Sequence, residues 1–246
     1  MTSRYSRRWW RSPGSQTELD CQGATYTRAV PAPAAVVFDN DGLTLGTETV
    51  WTRAEVSLFA RRGLEFTHAN KLELVGTAAP VAAVTLAAML GASPAEGEAI
   101  YAELRELVLA ELAGGCVPMP GAVELLAALR ERRIPLGLCS NSPRAFVDLA
   151  LRVSGLESAF DVTLAGDEVD HPKPAPDPYV AVCTALGAAP ADCVALEDSP
   201  TGATSARAAG MRVLGVPAVE GVRLDDVAHE VHASLQAPGV WAALGL

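Results

Sequence analysis

The sequence has little from which to build a disulfide framework or a soft-metal site. Its five cysteines (Cys21, Cys116, Cys139, Cys183, Cys193) form no CxxC pair and have no nearby His partner. That excludes a zinc module and points to a reducing compartment. Aromatic residues are scarce, at 5%. No stretch approaches the roughly 20 uninterrupted apolar residues that a membrane span requires. Positive charge is also short, with 19 Lys and Arg against 29 Asp and Glu, a net charge of −10. Residues 1–33 hold five Arg against Glu18 and Asp20, a balance of +3, so the remainder carries −13. So acidic a body repels nucleic-acid phosphate and anionic membrane, and neither is an expected partner. The start Ser6-Arg7-Arg8-Trp9-Trp10-Arg11 superficially resembles a twin-arginine export signal. Ser12-Pro13-Gly14 follows instead of an apolar run, so a flexible basic tail over 1–33 is expected, on a monomeric cytoplasmic protein.

What is present is a half-apolar chain of 246 residues, long enough for one large domain or a domain carrying an insert. Short apolar runs at 34–38, 134–139, 162–165, 193–196 and 213–216 read as strands buried on both faces. Helical patterns at 121–133, 143–154, 176–186 and 201–210 alternate with them, several opening on Pro or Ser/Thr and closing at Gly. Alternation of this kind predicts an α/β, Rossmann-like parallel sheet. One gap breaks the rhythm. Residues 47–115 hold only helical patterns, among them the amphipathic Leu104/Leu107/Val108/Leu112 spacing. They are expected to form a helical cap inserted after the first strand, with 34–46 and 116–246 as the catalytic core.

Ligands of open parallel sheets bind at the carboxyl ends of the strands. After the first run stands Asp39-Asn40-Asp41-Gly42, and after the second Ser140-Asn141-Ser142. Lys173 follows the third run within His171-Pro172-Lys173-Pro174, and Glu197-Asp198-Ser199 follows the fourth. Closely placed carboxylates resist joint ionisation unless a cation sits among them. An oxygen-only set suits a hard ion that keeps its waters, such as Mg²⁺. Lys173 and Ser140 can bind phosphate oxygens, one carboxylate can attack phosphorus, and another can shuttle the proton. Taken singly, each has a plainer reading: a turn, a helix cap, a solvated loop lysine, an acidic pair at a helix entry. Their joint placement after successive strands overturns those readings.

The ordered set resembles the haloacid dehalogenase-like hydrolases, in the phosphoglucomutase-like branch with a helical cap. VVFDNDG, CSNS, HPKPAPD and ALEDSPTGATSARAAGM look like the family's four motifs. The resemblance implies Asp39 as nucleophile and metal ligand. It implies Asp41 as general acid/base, lending its backbone carbonyl to the ion. Ser140, Asn141 and Lys173 would hold the phosphoryl group, and Asp198 would complete the Mg²⁺ site with Glu197 close by. Asp41 favours phosphoryl chemistry over dehalogenation, because an alkoxide leaving group needs an acid and a halide does not.

Glu48 to Glu55 looks like the cap entry of bacterial sugar-phosphate phosphatases of the 2-deoxyglucose-6-phosphate type, with Glu48 and Trp51 as candidate substrate contacts. The expected function is Mg²⁺-dependent hydrolysis of a small phosphorylated metabolite, a sugar phosphate above all, through a phospho-aspartate. A β-phosphoglucomutase-type transfer is the rival, although no basic residue follows Gly76 closely to grip a second phosphate. A non-catalytic phosphate-binding protein is the rival from another class. Gly46 departs from the family pattern, which has Asp there, and puts the fixing of the cap hinge in question.

Overall fold

The computed structural model describes residues 32–246 and, nearer the N-terminus, the backbone of two short antiparallel strands, β1 (Thr17–Leu19) and β2 (Thr25–Thr27). The remainder of the expected basic tail lies outside the described residues. The main sheet begins at β3 (Val36–Phe38), whose three residues are all buried. Four helices then follow without a strand: α1 (Glu48–Ala60), α2 (His68–Leu74), α3 (Ala79–Met89) and α4 (Gly97–Leu112). The chain returns through α5 (Ala122–Glu131), β4 (Leu136–Cys139), α6 (Arg144–Val153), β5 (Val162–Leu164) and α7 (Asp177–Ala185). It closes with β6 (Val194–Glu197), α8 (Pro200–Ala208), β7 (Arg212–Gly215), β8 (Glu230–Val231) and α9 (Pro238–Ala243).

The six strands run parallel in the order β5-β4-β3-β6-β7-β8. Alternation along the strands sorts the core into two faces. Val36, Phe38, Leu136 and Leu196 pack with Leu125 and Leu129 of α5 and Val240 of α9. Val37, Ala195 and Val213 pack on the other face with Tyr179 and Val182 of α7 and Ala203 and Ala206 of α8. The third cluster joins α1, α3 and α4 to Leu138 and α6, and so seats the inserted helices on the sheet.

The chain leaves β3 in opposite lateral directions, to β4 on one side and later to β6 on the other. This is the switch point at which open α/β sheets bind ligands, just beyond the carboxyl ends of the strands. Two linkers connect the helical insert there and run side by side. Gly46 N–H donates to Val117 O at 2.9 Å, and Met119 N–H donates to Thr44 O at 2.9 Å. Backbone pairing thus fixes the entry to the cap in the absence of the Asp expected at position 46.

Candidate active site

Asp39 stands one residue beyond β3, its N–H donating to Leu196 O at 3.0 Å. The chain then turns sharply. Thr44 and Leu45 N–H both donate to Asn40 O, and Gly42 N–H donates to Leu45 O at 2.9 Å. Gly42 takes φ of +83°, and a Cβ there would lie 2.3 Å from Asp198 Oδ2, so only glycine fits the turn. The turn brings Asp41 back beside Asp39.

Lys173 is 2% exposed and is the electrostatic centre of the site. Its ammonium donates to Asp39 Oδ1 at 2.6 Å, Glu197 Oε1 at 2.7 Å and Cys139 O at 2.8 Å, with Tyr179 Oη at 3.2 Å. Burial opposes the lysine's charge, but Asp39 and Glu197 more than offset it and hold its pKa well above the ordinary value. Glu197, wholly buried, accepts Tyr179 O–H at 2.6 Å as well as Lys173 on one oxygen. Its other oxygen accepts from Asp198 N–H, Ser199 N–H and the Ser199 hydroxyl. α8 closes on this carboxylate so tightly that a Cβ at Gly202 would lie 1.8 Å from Glu197 Oε1. Glu197 is therefore a fully bonded support for Lys173, with little left to offer a metal or substrate.

Asp198 is different. Its Oδ2 is buried and has no hydrogen-bond partner among the described residues. Carboxylate oxygens of Asp39, Glu197 and Asp198 all lie within 4.8 Å of one another. Burial drives Asp198 well above the usual carboxylate range, and the charges of Asp39 and Glu197 push it further. Burial also raises Asp39, Lys173 draws it back, and Glu197 and Asp41 push it up again. An orphaned buried oxygen beside a repelling neighbour, with oxygen donors alone, is an environment that fits a hard divalent cation. With Glu197 saturated, Asp39 and Asp198 are the side chains of this cluster that fit it.

Asp41 is tethered from both sides. Ser140 and Ser142 hydroxyls donate to its Oδ2, each at 2.9 Å. Thr47 Oγ1 donates to Oδ1 at 2.7 Å and Trp51 Nε1 to the same oxygen at 3.4 Å. Ser140, Asn141 and Lys173, expected together at a phosphoryl group, do converge, but Asn141 takes another part. Its Nδ2 donates to Gly76 O and to Lys173 O, both at 3.1 Å, and its Oδ1 accepts Lys173 N–H at 3.0 Å. The amide is thus committed to the protein, and only the backbone of Asn141 is left to meet a phosphate.

Several residues escaped the sequence reading. Ser142 lay inside the CSNS motif, Glu55 closed the cap-entry stretch and Tyr179 follows Lys173 by six residues, but Thr47 and Lys71 carried no motif signal. Lys71 of α2 meets Glu48 at 2.7 Å and Glu55 at 3.1 Å, so Glu48 is ion-paired rather than free. Trp51 lines the cleft and also packs on Phe146 of α6, ring centroids 5.3 Å apart. Asn40, between the two aspartates, is fully buried with neither side-chain amide atom hydrogen-bonded among the described residues.

A parallel α/β core with an inserted helical cap and a lysine-bridged carboxylate site defines a class of hydrolase. A family model of haloacid dehalogenase-like hydrolases matches residues 33–210. The chain is 33% identical over 190 residues to hexitol phosphatase B of Escherichia coli strain K12, spanning 76% of this chain and 84% of that protein. It is 32% identical over 184 residues to validoxylamine A 7′-phosphate phosphatase of Streptomyces hygroscopicus subsp. limoneus, spanning 73% and 84%. Among solved structures, CbbY of Rhodobacter sphaeroides in complex with phosphate superposes with a TM-score of 0.74 at 28% identity, covering 87% of this chain and all of that one. The chain belongs to the haloacid dehalogenase-like hydrolases, as a phosphatase of the phosphoglucomutase-like branch.

Proposed function

We propose that the protein hydrolyses the monophosphate ester of a small sugar or polyol, through a phospho-Asp39 intermediate and with Mg²⁺ bound. The observation that carries this reading is the pairing of Asp39 Oδ1 with Lys173 at 2.6 Å, next to an Asp41 set by four donors. Lys173 orients the nucleophilic carboxylate and offers positive charge to the incoming phosphoryl group. Asp39 forms the new bond to phosphorus as the ester P–O bond breaks. Asp41 gives the departing alkoxide its proton. In the second step Asp41 takes a proton from water, and the oxygen attacks the phosphoryl phosphorus. The acyl phosphate P–O bond breaks, releasing inorganic phosphate and restoring the Asp39 carboxylate and the protonated Asp41 with which the cycle began. Asp39, Asp198 and the Asp41 carbonyl would hold Mg²⁺, which when bound screens the negative charge between carboxylate and phosphate.

The helices of 47–115 act as a cap that excludes water and meets the body of the substrate. The names of the curated relatives, which concern hexitol and validoxylamine phosphates, support a hydroxylated leaving group. Hydrolysis is favoured over mutase transfer because, among the described residues, the cations lining the cleft are Lys71 and Lys173, both already paired with carboxylates. Neither is left to grip a second phosphate. Phosphate release from a panel of sugar, polyol and glycolate monophosphates, with and without Mg²⁺, tests the reading. Release from sugar or polyol phosphates only with the ion is the expected result. A panel left intact would refute it.

A further inference from the structure

The cap contributes a buried charge cluster of its own to the cleft. Lys71 is 7% exposed and lies between Glu48 and Glu55. The two glutamates are seven residues apart on α1, about two turns, so they share a face and one ammonium reaches both. Burial opposes charge on Lys71, yet Glu48 and Glu55 hold its pKa above the ordinary lysine value. A buried ion cluster is a poor means of holding helices together, since apolar residues of similar volume serve as well or better. All three side chains line the cleft that contains Asp39, Asp41 and Asp198. Among the described residues that cleft presents five carboxylates against two lysines, a formal balance of −3. A divalent ion at the core offsets charge there and leaves the cap side with its surplus carboxylate.

We infer that the Glu48–Lys71–Glu55 triad sets substrate specificity by charge. It accepts an uncharged hydroxylated body through Glu48 and rejects a body bearing a second phosphate or a carboxylate. The inference rests on the phosphatase reading and narrows its substrate class. Lys71 is a positioning residue: it holds Glu48 against the cleft wall and neutralises one carboxylate of the two. A distal anion entering the cleft meets the remaining negative charge at low local dielectric, where like charges repel most strongly.

Three six-carbon substrates that differ only at the end remote from the ester test this: a polyol monophosphate, an aldonic acid phosphate and a polyol bisphosphate. Wild-type kcat/KM should favour the neutral substrate by at least about tenfold over each anionic one. Glu55→Gln and Glu48→Gln should each narrow that preference by about threefold or more, and Lys71→Met should widen it while Lys71→Arg restores it. A loss of packing alone would lower all three rates together and leave the ratios fixed. A wild-type preference within about twofold would overturn the inference, and that measurement needs no variant. So would ratios unchanged in both Gln variants when each still melts cooperatively. Wild-type hydrolysis of an aryl phosphate separates the two levels. If it proceeds while the charge preference is missing, the inference alone falls. If no phosphate leaves any substrate, the proposed function falls and the inference with it.

Discussion

Two lysines in this protein are each held between two carboxylates, one beneath the sheet edge and one in the cap. Lys173 bridges Asp39 and Glu197 at 2.6 and 2.7 Å, and Lys71 bridges Glu48 and Glu55 at 2.7 and 3.1 Å. Their surroundings differ. The Lys173 cluster is tied into strand ends and backbone, through Cys139 O, Tyr179 and the amides that close on Glu197. The Lys71 cluster hangs between two helices, and its geometry follows from how α1 packs beside α2. On the proposed reading, chemistry that needs placement to within about half an ångström would sit on the strand ends, and discrimination among substrates on side chains of the inserted helices. Charge alone does not distinguish the two clusters. Mechanical support does.

Substitutions in the core should separate from those in the cap. Asp39→Asn removes the nucleophile and should lower kcat by at least about a thousandfold on every phosphate ester. Single-turnover assays should find no phosphorylated protein, and activity within tenfold of wild type would end the covalent mechanism. Asp41→Asn should cost about a hundredfold or more on a sugar phosphate and less on an aryl phosphate, whose leaving group needs little protonation. Equal losses would make Asp41 a structural residue.

Asp198→Asn removes a buried carboxylate that repels its neighbours. It should stabilise the metal-free protein by about 1–3 kcal/mol, and Mg²⁺ should no longer raise the melting temperature as it does for wild type. A variant that melts lower without the ion, or still responds to it, would contradict the assignment. In the cap, Glu48→Ala should reduce kcat/KM for a sugar phosphate by about tenfold, equivalent to about 1.4 kcal/mol, with a smaller change for an aryl phosphate. Parallel losses on both would erase the division between the two regions. The smallest effect is expected at Asn40. Asn40→Leu replaces an unbonded buried amide with an apolar group of similar volume and should raise stability by about 1 kcal/mol in denaturant melts. A drop would show that the amide has a partner.

The core site was legible because Asp39, Ser140 and the Glu197-Asp198 pair stand at the ends of apolar runs. In a parallel sheet that position alone fixes where a residue lies in space. Asp39, Ser140 and Asp198 needed no knowledge of helix packing. Lys173 required only that its loop return toward β3. The cap cluster was not legible, because positions 48, 55 and 71 meet only when two helices dock, and nothing in their local pattern sets that docking. The side-chain bonds of Asn141 were not legible for a similar reason: a motif names a residue, while its hydrogen bonds depend on a loop and a cap distant in sequence. β8 escaped because Glu230–Val231 is a two-residue edge strand without an apolar run. α9 escaped because six residues are too few to show a helical period. The cap hinge was judged by the Asp missing at position 46, whereas backbone bonds between the two linkers do that work.

Asn141 has a consequence for the timing of turnover. A single amide grips Gly76 O of the cap with one bond and the Lys173 backbone with two others. Any separation of the cap from the core would have to break the Gly76 bond, and the lysine loop would then lose one of the loads that hold Asn141 in place. On the proposed reading, closure and the readiness of Lys173 would be parts of one event.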